Sequence, residues 1–362
     1  MLLFQFQKIK ELLIGEIGGM EVGARLPSRT DLVRRLQTTR TTLDRAINEL
    51  IAEGVLSAHK GSGTYVVGLL DGKSERMENW GVILPSTKVD VFPRLLQGIR
   101  EEAARYGVNL IVCDTESDGD KQERFIKRLI ASGAAGFIIV PIVSKNASMS
   151  NRLYQALLQS SIPFVFCNRE VEGIEAPTVK STDFYGGYLA TRHLIKHGYR
   201  RIAYVATQKY QTSMERYQGY VSALLENGLP VLSRHVYLPI TPTPHCHYAC
   251  ALEMLRDLTP PDAFFCFNDS IAEEVYRAVK DAGLSISDDV GIIGYDNTAQ
   301  AAALSPPLTS MSYQSARIGQ KAAQLLWSRI HASNQSPAFE YKIFQPATIV
   351  RQSCKQKKEK SS

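Results

Sequence analysis

Apolar positions recur at helical spacing through the first part of the chain. Phe6, Ile9, Leu13 and Ile17 stand three, four and four residues apart, one stripe of a helix that Gly18-Gly19 closes. A short second helix is expected over 31–36, after Pro27-Ser28. A third begins near Thr39, a residue suited to an N-cap, and places Leu43, Ala46, Ile47, Leu50 and Ile51 on one face before Gly54 stops it. Two β-type runs, VLSAH and TYVVG, are joined by Lys60-Gly61-Ser62-Gly63, a hairpin signal with a flexible tip. Three helices followed by a hairpin predict a winged helix-turn-helix over 1–68.

From Trp80 the pattern changes. The runs WGVILP, VNLIVCD, AAGFIIVP and IPFVFCN alternate with helical patterns near 93–106, 120–131 and 151–160. A helix over 185–196 ends at Gly198, and a second series follows: RIAYVA, VYLP, AFFCFN and VGIIGYD, with helices near 214–226, 246–257 and 270–282. Repeated βα units with continuous apolar strands predict parallel doubly wound sheets. Two such series predict two lobes around a cleft. The expected fold class is therefore α/β, an N-terminal winged helix-turn-helix plus a two-lobed doubly wound domain over 80–354. Residues 69–79, within the Gly- and charge-rich stretch GLLDGKSERMEN, read as a linker. The basic end CKQKKEKSS, with 355–362 as its tail, reads as a solvated, disordered terminus.

Composition narrows this little. The 362 residues are 44% hydrophobic and 22% charged, ordinary for a globular protein, and the net charge of +6 fits a nucleic-acid partner without demanding one. Three of the six cysteines end apolar runs (LIVC, FVFC, AFFC), which reads as reduced core thiols. Lys8 and Lys10 interrupt the apolar N-terminus, and no stretch reaches the roughly 18 apolar residues of a membrane span. The expectation is a cytoplasmic protein with no membrane partner.

The candidate chemistry falls in two places. In the head, Arg25, Arg29, Arg34, Arg35, Arg40 and Arg45 form a basic set, and Arg40 lies in the first turn of the third helix, where recognition helices meet base edges. A guanidinium there can grip a guanine bidentately, and Thr39, Thr41 and Thr42 can donate to phosphates. Asp44 stands at i+4 from Arg40 and is expected to orient it. In the larger part, polar residues follow the strand-like runs: Ser86, Asp114, Asn168-Arg169, Asn268-Asp269 and Asp296-Asn297, with Arg216 at the start of a helix. In open α/β sheets ligands bind outside the carboxyl ends of the strands. Carboxylates, amides and guanidinium groups around a cavity suit a ligand dense in hydroxyls. Turn-forming and helix-capping roles explain any one of these residues, but explain five strand ends together less well.

The head resembles the GntR family of bacterial regulators through GARLPS (23–28), TTRTTL (38–43), AINEL (46–50), Glu53-Gly54 and GSGTYV (61–66). That resemblance implies a homodimer on a palindromic double-stranded DNA operator. The candidate DNA contacts are Ser28, Arg29, Thr39, Arg40, Thr41, Thr42, Arg45 and, on the wing, Lys60 and Gly61. Residues 80–354 resemble the LacI-type effector domain, which shares its fold with periplasmic sugar-binding proteins. The matching segments are DFYGGYLATRHLIKHGYRRIAY (183–204), ERYQGY (215–220), PDAFFCFND (261–269), VGIIGYDN (290–297) and PPLTSM (306–311), with ATIVRQS (347–353) as a closing strand. The resemblance implies a small-molecule sensor, most often for a sugar. It places Arg216, Asp269 and Asp296 on the main effector positions, Asn168-Arg169 where sugar-binding relatives carry Asp-Arg, and Phe92 as an apolar wall. By the same resemblance lobe one comprises about 79–181 and 309–332, lobe two about 182–305 and 337–354, and the chain crosses between them three times.

The whole reads as a sequence-specific transcription regulator, a repressor whose operator affinity a sugar controls. An activator, a purine sensor or a sugar-modifying enzyme are the alternatives. The cluster HCHYAC (245–250) offers metal-ligand residue types, but positions i and i+2 lie on different helix faces, so no metal is expected. No GxSxG elbow, P-loop or HExxH occurs, so neither catalysis nor a cofactor is expected.

Overall fold

The computed structural model describes residues 2–52, 54–59, 62–67, 78–88, 91–142, 147–160, 162–207, 211–240, 243, 245–332 and 340–357. The chain divides into two compact units, Met1–Met77 and Glu78–Ser362. Most of the expected linker, and the wing-tip residues Lys60 and Gly61, lie outside the described residues.

The first unit holds α1 (Leu2–Ile17), α2 (Arg29–Arg35), α3 (Arg40–Ala52), β1 (Leu56–His59) and β2 (Gly63–Val66), with β1 and β2 antiparallel. Ile9, Leu13 and Ile17 of α1 meet Leu32, Leu43, Ala46, Ile47 and Leu50 in one core, closed below by Leu26, Val55, Leu56 and Val66. The helix α2 starts two residues earlier than the apolar pattern predicts. Ser28 caps it, its Oγ accepting from Asp31 N at 3.2 Å, so the polar residues Arg29 and Thr30 fold into the first turn. Segment 24–26 adds to the wing, with Leu26 N donating to Thr64 O and Val66 N to Ala24 O. Gly63 sits at φ +128°, and a Cβ there would lie 2.6 Å from Arg25 Nε, so the hairpin requires glycine.

The second unit contains two six-stranded sheets. In chain order its elements begin with β3 (Asn79–Leu84), α4 (Val91–Arg105), β4 (Asn109–Asp114), α5 (Gly119–Ala131), β5 (Gly136–Ile139), α6 (Ala147–Gln159), β6 (Phe164–Cys167) and β7 (Thr178–Ser181). There follow α7 (Asp183–Lys196), β8 (Ile202–Val205), α8 (Gln211–Glu226), β9 (Val236–Tyr237), α9 (Cys246–Leu255), β10 (Ala263–Cys266), α10 (Asp269–Asp281), β11 (Gly291–Tyr295) and α11 (Ala299–Ala303). The last elements are β12 (Thr309–Ser312), α12 (Ser315–Ile330), β13 (Tyr341–Phe344) and β14 (Ala347–Ile349). Lobe one has the order β13-β7-β6-β5-β3-β4, all parallel, and lobe two β14-β12-β11-β10-β8-β9, antiparallel only at β12–β14. Fully buried strands such as Phe164–Cys167 and Ala263–Cys266 explain why the sequence shows continuous apolar runs.

Three departures from the expected layout follow from pairing. The strand β12, expected in lobe one, runs parallel to β11 in lobe two, where Thr309 N also donates to Ser353 Oγ at 2.8 Å. The strand β13, expected in lobe two, extends lobe one by pairing with β7. The chain therefore crosses between lobes at 181–183, 312–315 and 344–347. The basic end is not wholly a free tail: Lys357 Nζ pairs with Asp262 Oδ2 at 3.1 Å and Lys355 N donates to Ser287 Oγ at 2.9 Å.

Candidate functional sites: a helix face and an interlobe cleft

On the first unit, Arg40, Thr41, Asp44, Arg45, Asn48, Glu49 and Ala52 line one open concave strip along α3. Arg40 opens the helix with its side chain 77% exposed, and Asp44 lies 3.8 Å from its Nε, the i,i+4 pair the sequence predicts. Thr39 Oγ1 accepts from Thr42 N at 3.3 Å and stands 2.8 Å from Thr42 Oγ1, fixing the start of α3. Two expected DNA contacts have internal work. Ser28 Oγ caps α2 and donates to Asp31 Oδ2 at 2.6 Å. Arg29 is a strut: its Nε donates to Asp44 Oδ1 at 3.1 Å and its Nη1 to Thr64 Oγ1 at 2.9 Å, tying α2 to α3 and the wing.

In the second unit, Arg216 is the centre of a buried cluster. Its Nε donates to Asp183 Oδ1 at 2.8 Å and its Nη1 to Phe267 O at 2.5 Å, while Nη2 lies 4.0 Å from Asp296 Oδ1. The guanidinium stacks 3.5 Å from the centroid of Tyr295 and 4.4 Å from that of Phe267. Burial works against its charge, but Asp183, Tyr295 and Asp296 more than offset that, so it remains a fixed cation. Close helix packing makes this geometry possible. A Cβ on Gly187 would lie 2.2 Å from Arg216 O, and one on Gly219 2.0 Å from Phe184 O, so α7 and α8 approach backbone to backbone.

Lobe one meets this cluster through Asn168 and Arg169 at the end of β6. Asn168 is buried at φ +69°, and Tyr313 Oη donates to its side-chain and backbone oxygens. The Tyr313 ring is 6.3 Å from Tyr295, and burial raises the Asp183 carboxyl above its ordinary value, with Arg216 the chief opposing charge. A second tie between the lobes runs from Arg94 Nη1 on α4 to Asn297 O at 2.7 Å.

The other predicted residues divide. Asn268 caps α10, accepting from Ile271 N at 2.9 Å. Asp269, expected on a main effector position, is 2% exposed with both oxygens committed: Oδ1 accepts from Ser310 Oγ at 2.6 Å and Oδ2 from Thr298 N at 2.7 Å. Ser310 Oγ in turn accepts from Asn297 N at 3.0 Å. Asp269 thus pins the turn in which Asp296 and Asn297 hold positive φ. Phe92 is 5% exposed and packs into the main core. Asp114 accepts from Thr87 N at 2.8 Å, Thr87 Oγ1 at 2.6 Å and Glu116 N at 3.0 Å. Partial burial opposes its ionisation, yet these bonds hold its carboxyl below the ordinary value. Ser86 Oγ accepts from Lys88 N at 3.1 Å, so both residues shape the loop after β3.

Sequence reading passed over Asp183, Tyr295, Tyr313 and the ion pair Lys180–Glu170 at 2.7 Å. Asp183 was legible only as the first residue of DFYGGY. In HCHYAC, His247 Nδ1 is 3.2 Å from Glu274 Oε1, and among the described residues no group of three His, Cys, Asp or Glu side chains is arranged for a metal ion.

Comparison with known proteins agrees with this division. Residues 6–66 match the bacterial regulatory proteins of the gntR family, and residues 191–354 match the periplasmic binding protein-like domain. The HTH-type transcriptional repressor PurR of Actinobacillus pleuropneumoniae serotype 3 is 30% identical over 274 residues, 75% of this chain and 80% of that protein. The chain belongs to the HTH-type transcriptional repressors. This repressor is also 27% identical over 361 residues, 97% of its length and 98% of the relative's, to the arabinose metabolism transcriptional repressor of Geobacillus stearothermophilus. Its larger unit is similar to a crystal structure of a LacI family transcriptional regulator from Enterococcus faecium with bound ribose: TM-score 0.66, 28% identity, 78% of this chain and all of that one. The repressor is thus a DNA-binding transcriptional regulator with a gntR-type head on a LacI-like body. Among its described residues no helix is long and apolar enough to cross a membrane.

Proposed function

We propose that this repressor acts in the cytoplasm as a homodimer on a palindromic operator, which it releases when a sugar closes the interlobe cleft. What supports the cleft as the effector site is the fixed guanidinium of Arg216. It sits at the carboxyl ends of β8, β10 and β11, held by Asp183 and Asp296 and joined through Tyr295 and Tyr313 to Asn168 of the other lobe. Such preset donors and acceptors match hydroxyls that both donate and accept. The arabinose repressor and the ribose-bound regulator favour the same ligand class.

Arg216, Asp296, Asn168 and Arg169 contact the sugar, and Asp269 holds the Asp296 turn. On the head, Arg40 reads a base, Thr39, Thr41, Thr42 and Arg45 meet phosphates, Lys60 and Gly61 supply the wing contact, and Ser28 and Arg29 support that face. Coupling requires the sugar to prefer one arrangement of the lobes by about 1–3 kcal/mol or more. The ligand is sensed and not turned over. The test is to select the operator from random DNA, then measure its retention with and without a sugar panel. One sugar is expected to release the wild type but not Arg216→Lys, and to be recovered unchanged. If no sugar alters DNA binding or the melting temperature, the assignment fails.

A further inference from the structure

Asp44 stands in the middle of the α3 strip, between Arg40, Thr41, Arg45, Asn48 and Glu49. The other acid of the strip is engaged, since Lys10 Nζ donates to Glu49 Oε2 at 3.0 Å. Asp44 is anchored by one oxygen only. Its Oδ1 accepts from Arg29 Nε at 3.1 Å, and Arg29 is fixed in turn by Nη1 donating at 2.9 Å to Oγ1 of Thr64, a buried wing residue. Its Oδ2 lies 3.8 Å from Arg40 Nε, beyond hydrogen-bond length, and accepts no hydrogen bond among the described residues. The side chain stays 42% exposed. Oδ2 is therefore a preset surface acceptor whose capacity is unspent. Arg29 and Arg40 beside it offset the repulsion that a lone acid meets from phosphates.

A carboxylate on a groove-entering helix accepts and does not donate, so it selects for amino groups. In the major groove guanine offers only acceptors, and thymine an acceptor and a methyl group. Adenine sets its amino group between two acceptors, its own N7 and the O4 of the paired thymine. The cytosine N4 amino group has an acceptor on one side only, and so suits a carboxylate best. Four residues advance α3 by about 6 Å and base pairs stack at about 3.4 Å, which puts Asp44 within about two base pairs of the base Arg40 meets. We propose that Asp44 is a specificity residue of the operator contact, its Oδ2 accepting from the N4 amino group of one cytosine in each half-site. This rests on α3 being the helix that enters the groove.

Asp44→Asn keeps an oxygen for Arg29 and removes the charge. Operators are selected from random DNA with the full-length wild type, Asp44→Asn and Arg40→Ala, and duplexes altered at single positions are then titrated. In the wild type one position per half-site is expected to prefer cytosine by about 10-fold. Asp44→Asn is expected to lose that preference and keep the one that Arg40→Ala loses. It is also expected to bind scrambled DNA about 3-fold more tightly, because an acid near the phosphates is gone. Two results overturn the inference and reduce Asp44 to a support for Arg29 and Arg40. One is that Asp44→Asn weakens only the position that Arg40→Ala weakens. The other is that it leaves every preference as in the wild type while Arg40→Ala alters one. If neither variant alters any preference, α3 is not the reading helix, and the base contact proposed for Arg40 falls as well.

Discussion

The repressor carries two arginine–carboxylate clusters that are alike in composition and opposite in setting. On α3, Arg29 and Arg40 share Asp44 at 3.1 and 3.8 Å, with Arg40 77% exposed. In the cleft, Asp183 and Asp296 share Arg216, whose side chain is 4% exposed. In water a surface pair is worth little and its side chains stay free to move, which suits the base contact proposed for Arg40. Buried, the same chemistry is costly to break and holds one geometry, which suits a preset ligand site. Burial, not residue type, separates the adaptable surface pair from the rigid buried one.

Substitutions that test this contrast should differ in size. The largest effect is expected from Asp183→Ala, which strands a buried guanidinium and should destabilise the second unit by about 3–5 kcal/mol, read as a drop in its urea midpoint. A loss under 1 kcal/mol would mean the cluster is not the closed ionic unit its distances indicate. Next, Asp269→Ala removes the acceptor for Ser310 and Thr298 and should cost about 1–3 kcal/mol while loosening the Asp296 turn. Sugar affinity should fall with it, and unchanged affinity would show that the turn holds without Asp269.

On the exposed side, Arg40→Ala should leave folding intact but cost about 1–3 kcal/mol of operator discrimination. Equal binding to operator and scrambled DNA losses would reduce Arg40 to a phosphate contact. The smallest effect belongs to Asp44→Asn, about 0.3–0.5 kcal/mol of stability at low salt, vanishing in concentrated salt. A salt-independent loss would show that the Arg29–Asp44 strut behaves as a buried pair.

Much of this was legible from periodicity. The stripe Ile9, Leu13, Ile17 and the face Leu43, Ala46, Ile47, Leu50 form the head's core as the spacing requires. The strand-end positions Asn168, Arg169 and Asp296 also stand at the cleft. Short strands were less legible: TVKS (β7) and YKIF (β13) lack a long apolar run, and pairing in the sheet, of β7 with β6 and of β13 with β7, makes them strands. Asp269 looked like a ligand residue because strand-end acids can serve either a ligand or a turn, and identity alone does not distinguish them.

Sequence alone determined the helices, the apolar strands and which residues carry charge, because local spacing and side-chain chemistry are properties of short segments. Tertiary structure decided what those charges do. Asp183 and Arg216 are 33 residues apart, and Asp269 and Ser310 are 41. Each pair meets only after helices pack at glycines and strands choose neighbours. Whether a carboxylate then fixes a guanidinium, pins a turn or stays in solvent depends on how much water that packing removes.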